Sequence, residues 1–137
     1  LLNNTIVNYP DESFLLVGNH HRSPLGLSEH PNVTAVGHVS KTDIAKYHQR
    51  MKCLFFPSER DPCPNTVVEA IISGVPVCYH KDGGTKEIVR NCGLPLEQFD
   101  ELLSNLDLFH DRCRTRKDLY FDSVAKKYLD RLEFKHA

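Results

Sequence analysis

The chain has 137 residues, of which 40% are hydrophobic and 26% are charged. This composition suits one soluble domain with an apolar core, and the length leaves too little chain for two ordinary domains. The formal net charge of -1 gives no electrostatic reason to expect nucleic-acid binding, and no apolar run approaches the ~20 residues that cross a bilayer.

Short β-prone runs alternate with helical patterns along the chain. Four of these runs are apolar almost throughout, which is typical of strands covered on both faces in a parallel sheet. They are residues 13–18 (SFLLVG), 32–37 (NVTAVG), 53–57 (CLFFP) and 75–79 (VPVCY). Strands that alternate with helices predict an α/β fold, a Rossmann-like parallel sheet with helices on both faces.

Capping residues indicate where several helices begin and end. Ser40 is a candidate N-cap, with Asp43 at the capping-box position. Pro64 suits the first turn of the next helix, and Gly74 suits its end. Residues 83–91 (GGTKEIVRN) predict a turn followed by a short helix.

The longest predicted helix covers about residues 117–134. Its apolar residues recur with helical spacing and are expected on the inner side of the helix. They are Phe121, Val124, Ala125, Tyr128 and Leu132.

Residues 1–9 predict the end of a helix with no strand before it. A doubly wound unit normally begins with a strand, whose turn into the first helix often binds phosphate. We therefore expect residues 1–137 to be a single domain and a fragment that lacks its first strand.

The cysteines and histidines give no pattern of a disulfide or metal site. Five cysteines form no CxxC motif, and an odd number without paired spacing indicates reduced thiols in a cytoplasmic protein. They are Cys53, Cys63, Cys78, Cys92 and Cys113. The eight histidines show neither HxH nor HExxH spacing, so no metal site is predicted.

Two carboxylates stand out in residues 57–77 (PSERDPCPNTVVEAIISGVPV). Asp61 follows a predicted strand and therefore lies at the carboxyl-end rim of the sheet, where open α/β proteins bind ligands. Glu69 lies in an otherwise apolar helix, roughly 7 Å along its axis from the start. Between the two acids, the free amides of residues 65–67 at the helix N-terminus predict an anion site.

The predicted order of groups along this segment is a hydroxyl acceptor, an anion site and a second hydroxyl acceptor. A nucleotide sugar presents its groups in the matching order: sugar, diphosphate, ribose. A purely structural role is the alternative. Asp-Pro is a common turn dipeptide, and Thr66, Glu69 and Ser73 would form a solvent-facing stripe on the helix. The pattern alone leaves both interpretations open.

Residues 55–89 (FFPSERDPCPNTVVEAIISGVPVCYHKDGGTKEIV) resemble the signature of group 1 retaining glycosyltransferases with the GT-B fold. The signature has an acid, seven residues and a glutamate followed by alanine, then G-x-P-V, then a double glycine before EIV. Those positions are Asp61, Glu69, Ala70, Gly74, Val75, Pro76, Val77, Gly83, Gly84, Glu87, Ile88 and Val89. Upstream LLVG and NVTAVGHVS and the tail FDSVAKKYLDRL also match in order, so the resemblance covers almost the whole chain.

The resemblance implies a role for individual residues. Asp61 and Glu69 would be the catalytic-site carboxylates, with Asp61 on the donor-sugar hydroxyls and Glu69 on the ribose. The donor sugar and its phosphates would also contact Cys63, Pro64, Asn65 and Thr66. The base would lie beside Gly37, His38 and Val39.

One residue departs from the family pattern. Asp61 stands where the family usually has glutamate, which implies a different sugar or one bound closer to the loop. The family's diphosphate-binding arginine and lysine, and its acceptor-binding domain, are expected before Leu1.

These features imply the donor-binding half of a hexosyltransferase-type glycosyltransferase, which we expect to be inactive alone. The donor would be a nucleotide-diphosphate sugar, a UDP- or GDP-sugar, with no separate cofactor. Its partners would be the missing N-terminal GT-B domain and an acceptor that is a sugar, a lipid or a protein glycan. The protein is expected in the cytoplasm, either free or peripheral at a membrane surface.

Two other functions remain open from the sequence. A GT-B sugar-nucleotide epimerase or hydrolase would use the same binding half but would need no acceptor. A non-enzymatic flavodoxin-like signalling module would need an acidic cluster at its first strand end and a lone phosphorylatable aspartate, and neither is readable in this sequence.

Overall fold

The computed structural model describes residues 2–18, 26–61 and 64–136, which form seven α-helices and five β-strands. In chain order these are α1 (Leu2–Asn8), β1 (Phe14–Val17), β2 (Val33–Val36), α2 (Lys41–His48), β3 (Leu54–Phe56), α3 (Asn65–Ile72), β4 (Val77–Tyr79), α4 (Thr85–Val89), β5 (Gly93–Pro95), α5 (Phe99–Ser104), α6 (Leu106–Arg114) and α7 (Phe121–His136). Single turns of 3-10 helix lie at Leu27–Glu29, Leu96–Gln98 and Lys117–Leu119.

All strand pairs are parallel, in small sheets flanked by helices, so the predicted α/β fold class is confirmed. The chain divides into two compact units, Leu1–Lys46 and Tyr47–Ala137, and each is described by itself. The single domain over residues 1–137 stays a prediction.

In the first unit, β1 pairs with β2 in register from Phe14↔Val33 to Val17↔Val36. One side-chain amide joins this pair to the preceding segment. Asn32 Nδ2, just before β2, donates to the carbonyl oxygens of Ile6, Tyr9 and Glu12 at 3.1–3.2 Å. The predicted helix near the N-terminus is confirmed as α1, which this amide ties to the sheet.

The start of α2 is capped as the sequence predicts. Ser40 Oγ accepts a hydrogen bond from the backbone N–H of Asp43 at 3.1 Å and donates to Asp43 Oδ2 at 2.8 Å. This satisfies an N–H group that has no acceptor inside the helix. Hydrogen bonds from Lys46 and Ser40 lower the pKa of the Asp43 carboxyl.

The second unit contains a three-stranded sheet in the order β3-β4-β5. The central strand is buried along its whole length, with Val77 and Cys78 at 0% exposure and Tyr79 at 3%. This burial explains why its sequence is apolar throughout rather than alternating. The core around it combines residues of α3, β4, α4 and α6, among them Val67, Ala70, Ile71, Val89 and Cys113.

Helix α3 buries one side and ends at a glycine. Val67, Ala70 and Ile71 follow the i, i+3, i+4 spacing of one helix face and are fully buried. Gly74 has a φ of 83°, and its N–H donates to Ile71 O while the N–H of Val75 donates to Ala70 O. This pair of bonds is a Schellman motif, so the predicted helix end at Gly74 is confirmed.

The sequence did not predict strand β5. It has three residues, begins with glycine and ends with proline, so it lacks the apolar run that marks the other strands. Glycine is required at its first position, because a Cβ on Gly93 would lie 1.8 Å from Val77 O of the neighbouring strand. Close backbone approach, rather than side-chain packing, therefore sets the identity of this residue.

Helix α7 is the longest helix in the described residues, as predicted, but its expected inner side is not buried. Phe121 is 83% exposed, Tyr128 66% and Val124 37%, and the side chain of Leu132 lies outside the description. Helical spacing identifies an apolar stripe but carries no information on what packs against it. Within the described residues, no helix is both long enough and apolar enough to cross a membrane.

Candidate functional site

The candidate site lies at the carboxyl ends of the strands in the second unit. Because β3, β4 and β5 are parallel, these ends meet at one edge of the sheet, where ligands bind in open α/β proteins. The segment after β3 leads through Asp61 to α3, and the segment after β4 leads through residues 80–84 to α4. Both connections therefore begin at the same edge.

Contacts between the two connections join them at the edge. The N–H of His80 donates to Phe56 O at 3.1 Å, and His80 Nε2 lies 3.5 Å from Glu59 Oε1. The N–H of Asp82 donates to His80 Nδ1 at 3.2 Å. Because Nδ1 accepts this bond, the ring hydrogen of the neutral histidine is on Nε2, facing the Glu59 carboxylate.

The first glycine of the GG pair has a structural reason at this edge. Gly83 has a φ of 123°, a left-handed value that other residues rarely adopt. A Cβ at this position would also lie 2.7 Å from the backbone oxygen of Glu59. The contact between the two connections therefore requires glycine at position 83.

The start of α3 has no side-chain cap. Pro64 is the N-cap residue and lacks a capping side chain, and the N–H groups of Val67 and Val68 both donate to Pro64 O at 3.0 and 3.2 Å. Asn65 and Thr66, the first two helical residues, are exposed and precede those bonded amides. Amides at an exposed helix start, with the positive end of the helix dipole, favour an anion.

Glu69 lies half-buried on α3, one turn beyond these amides. Its carboxylate has no hydrogen bond or ion pair with any residue in the described part of the chain. One turn later on the same helix side, Ser73 Oγ lies 3.3 Å from Nδ1 of His48, which is 5% exposed. Burial lowers the pKa of His48, and the negative charge of Glu69 acts in the opposite direction.

The structure places the predicted donor-site residues together in one segment. Asp61 is half-buried in the connection from β3 and interacts with another group of the chain. Pro64, Asn65 and Thr66 form the start of α3 and Glu69 follows one turn later. Cys63, also predicted at this site, lies outside the described residues.

The predicted base-contacting residues lie in the first unit. Gly37, His38 and Val39 follow β2, the first two exposed and the third half-buried. Gly37 O accepts a hydrogen bond from the N–H of Gly18, which follows the neighbouring strand β1. These residues therefore lie at the carboxyl end of the β1-β2 sheet, and their contact with a base stays a prediction.

Sequence reasoning missed two side chains near the site, Glu59 and His48, and it did not predict the contact of His80 with Glu59. Their contacts join segments that are far apart in the chain, so no local spacing indicates them. The usable signal was the order of the strands, because neighbouring parallel strands bring the residues that follow them to one edge. Among residues 2–18, 26–61 and 64–136, no three His, Cys, Asp or Glu side chains group as metal ligands.

Comparison of the sequence with known protein families identifies the family to which the chain belongs. The sequence model of a family described as glycosyl transferases group 1 matches residues 3–106, which is most of the chain and includes β1 to β5 and α3. No curated protein matches the chain.

Proposed function

Because the chain belongs to the group 1 glycosyl transferases, we propose that it binds the nucleotide-diphosphate sugar from which a retaining enzyme of hexosyltransferase type transfers the sugar. The donor in this proposal is a UDP- or GDP-sugar, which is the substrate, and no separate cofactor takes part. The observation that carries the proposal is the Glu69 carboxylate, which is half-buried beside an uncapped helix start and is not hydrogen-bonded by any described residue.

The chemistry of each segment supports this donor. A carboxylate accepts hydrogen bonds from hydroxyl groups, and ribose offers two neighbouring hydroxyls to Glu69. The amides before Val67 suit the diphosphate, because they combine N–H donors with the positive end of the α3 dipole. Asp61, in the connection before α3, is then the acceptor for the hydroxyls of the transferred sugar.

The proposed mechanism rests on positioning and on stabilisation of the leaving group. Negative charge develops on the diphosphate as its bond to the sugar breaks, and fixed N–H donors at the start of α3 stabilise that charge. Hydrogen bonds to Asp61 and Glu69 hold the sugar and the ribose on either side of this anion site. Interactions that strengthen as the diphosphate leaves raise the rate of transfer, whereas uniform binding does not.

The remaining partners are part of the same proposal. An acceptor-binding N-terminal GT-B domain would complete the active site, and the acceptor would be a sugar, a lipid or a protein glycan. We propose a cytoplasmic location, with the protein free or peripheral at a membrane surface.

Calorimetry on the full-length protein tests the proposal, with nucleoside diphosphates and their sugars as ligands. Glu69→Gln keeps the shape of the side chain but removes its charge. A hydrogen bond to a charged group contributes roughly 1.5–3 kcal/mol, so the affinity for nucleotide should fall about ten- to a hundredfold. Glu101→Gln, an exposed carboxylate on α5, is the matched control and should bind as the wild type does.

The Asp61→Asn variant distinguishes contacts to the sugar from contacts to the nucleotide. It should weaken binding of the sugar nucleotide and leave binding of the plain nucleoside diphosphate nearly unchanged, because its proposed contact is to the sugar. Equal affinities for wild type and Glu69→Gln would return Glu69 to a structural role. Equal losses for both ligands in Asp61→Asn would show that the sugar lies elsewhere.

A further inference from the structure

Two buried thiols lie against each other on the side of the second unit away from the α3 start. Cys92 is the residue before β5, and Cys113 lies in the last turn of α6. They are 0% and 2% exposed, respectively. Cys113 Sγ donates to the carbonyl oxygen of Cys92 at 3.7 Å, which makes the two cysteines direct neighbours.

A fixed positive charge lies beside one of the two sulfurs. Arg116 Nη1 is 3.6 Å from Cys92 Sγ, and the guanidinium is held there by the Asp118 carboxylate and the carbonyl oxygen of Val89. Arg116 is itself 7% exposed, so water does not screen its charge from the sulfur.

The surroundings distinguish the two thiols. The hydrogen bond from Cys113 lowers the pKa of Cys92 most, and Arg116 lowers it further against the opposing effect of burial. The same thiol contact and burial raise the pKa of Cys113. Cys92 is therefore the sulfur that becomes a thiolate, and the thiolate is the form that attacks disulfides.

We propose that Cys92 and Cys113 are a redox-active thiol pair that a low-molecular-weight disulfide converts into an intramolecular disulfide. In the first step Cys92 attacks one sulfur of the dissolved disulfide, forms a mixed disulfide and releases one thiolate. In the second step Cys113 loses its proton to the released thiolate and attacks Cys92, which expels the second thiol. The protein loses two protons and two electrons: the proton of Cys113 goes to the first thiolate released, the second thiolate takes up from water the proton that Cys92 gave up on ionising, and one disulfide becomes two thiols.

Burial determines how fast this happens. A dissolved disulfide reaches Cys92 only when the segment between α4 and β5, or the end of α6, opens locally. The first step is therefore slow, and the second is fast because Cys113 is already a neighbour of Cys92. Once closed, the bond links the start of β5 to α6.

The chain offers a matched pair for comparison. Cys53, before β3, and Cys78, in β4, also lie near enough to affect each other, and Cys78 is fully buried. Burial raises the pKa of Cys78, and its thiol donates to Pro95 O at 3.7 Å, so this sulfur is held as the protonated thiol. We expect the Cys53–Cys78 pair to stay reduced when Cys92 and Cys113 are oxidised.

The experiment treats the folded chain with oxidised glutathione, alkylates the remaining thiols in acid and maps the peptides by mass spectrometry. A Cys63→Ser background removes the thiol that lies outside the described residues. The expected product is a disulfide between Cys92 and Cys113, with Cys53 and Cys78 alkylated. In Cys113→Ser the mixed disulfide at Cys92 should accumulate, whereas Cys92→Ser should leave Cys113 unmodified.

The disulfide map of the chain in which both Cys92 and Cys113 are intact tests the proposal even if a serine variant folds poorly. A Cys53–Cys78 bond in preference to Cys92–Cys113 would overturn it, as would a Cys92–Cys113 bond that forms only after unfolding in urea. Cys78→Ser is the matched control, and it should leave the yield of the Cys92–Cys113 bond unchanged.

Discussion

Arg116 and Asp118 form a two-point ion pair, with Arg116 Nε donating to Asp118 Oδ1 at 2.8 Å and Nη2 donating to Oδ2 at 3.2 Å. The third nitrogen, Nη1, donates to the carbonyl oxygens of Ile88 and Val89 at 2.9 and 3.1 Å. Those carbonyls belong to the last turn of α4, where no N–H group of the helix is left to donate to them. One buried arginine therefore ties the segment after α6 to the end of α4.

Replacement of this arginine should be strongly destabilising. Arg116→Met keeps much of the side-chain volume but removes the two-point pairing of Asp118, which retains only the bond from Arg90 at 3.3 Å, and it takes from Ile88 O its side-chain donor. Breaking a buried pair in this way costs about 3 kcal/mol of unfolding free energy, the lower part of the known range, because Asp118 is partly exposed. Urea unfolding measures the loss.

Arg114→Met is the control for that measurement. Arg114 pairs with Asp111 at 2.8 Å, but both side chains are largely exposed, at 69% and 73%. Its replacement should change stability by no more than about 0.5 kcal/mol. Similar losses for Arg114→Met and Arg116→Met would contradict the assigned role of Arg116.

Acid should weaken the fold through Asp118. The hydrogen bond from Arg116 lowers the pKa of this carboxyl in the folded state, whereas aspartate in an unfolded chain titrates near ~3.9. A carboxyl with a depressed folded pKa stabilises the protein above its unfolded pKa and loses that contribution as pH falls through the folded pKa. Stability should therefore drop below about pH 4, and Asp118→Asn should remove this part of the drop. Unfolding midpoints measured from pH 7 to pH 2 test it, and identical acid profiles would refute it.

His48 should produce a separate effect at higher pH. Burial lowers its pKa in the folded state, and histidine in an unfolded chain titrates near ~6.5. The unfolded chain then binds the proton more readily, so stability is fully present above about pH 6.5 and decreases as pH falls toward the folded pKa. His48→Gln should flatten the profile between pH 7 and pH 5.

A change at Glu69 provides a second test of the role of His48 in the pH dependence of stability. Its negative charge raises the pKa of His48 and thereby offsets part of the effect of burial. Glu69→Gln should consequently make the decline between pH 7 and pH 5 steeper. A decline unchanged in both variants would show that another group titrates in this range.

The glycine at the start of β5 should not tolerate a side chain. Gly93→Ala would place a Cβ 1.8 Å from Val77 O, within the central pair of strands. Strand separation of this kind should cost about 3 kcal/mol of unfolding free energy. Gly37→Ala is the control, because nothing lies within 4 Å of its added Cβ, and its stability should change by about 0.5 kcal/mol or less. Thermal or urea unfolding of both variants provides the comparison.

Local pattern predicted the parts of the fold in which burial dictates composition. The four apolar runs became β1 to β4, because a parallel strand covered on both faces has no polar positions. Ser40 and Gly74 marked helix ends because a hydroxyl cap and a left-handed glycine are local requirements. Strand β5 lacked such a requirement: backbone contact with β4 selects Gly93, and that contact is not visible in the local sequence.

The candidate site also has features that the local sequence predicts and features that only the packing of distant segments produces. The spacing of Asp61 and Glu69 predicted one acid in the connection before α3 and one inside it, as the structure has them. The contacts of His80 with Glu59 and of His48 with Ser73 join residues 21 and 25 positions apart, so they follow only from the packing of neighbouring elements. The apolar stripe of α7 shows the opposite error, since its periodicity was correct and its burial was not.

The central position of β4 has a consequence for hydrogen exchange. Val77–Tyr79 pair with strands on both sides and have almost no contact with solvent. Their amide hydrogens can exchange with deuterium only when the whole sheet of the second unit opens, so their exchange rates report the global free energy of that unit. Deuterium exchange at these three residues would therefore measure the free energy of unfolding of the second unit.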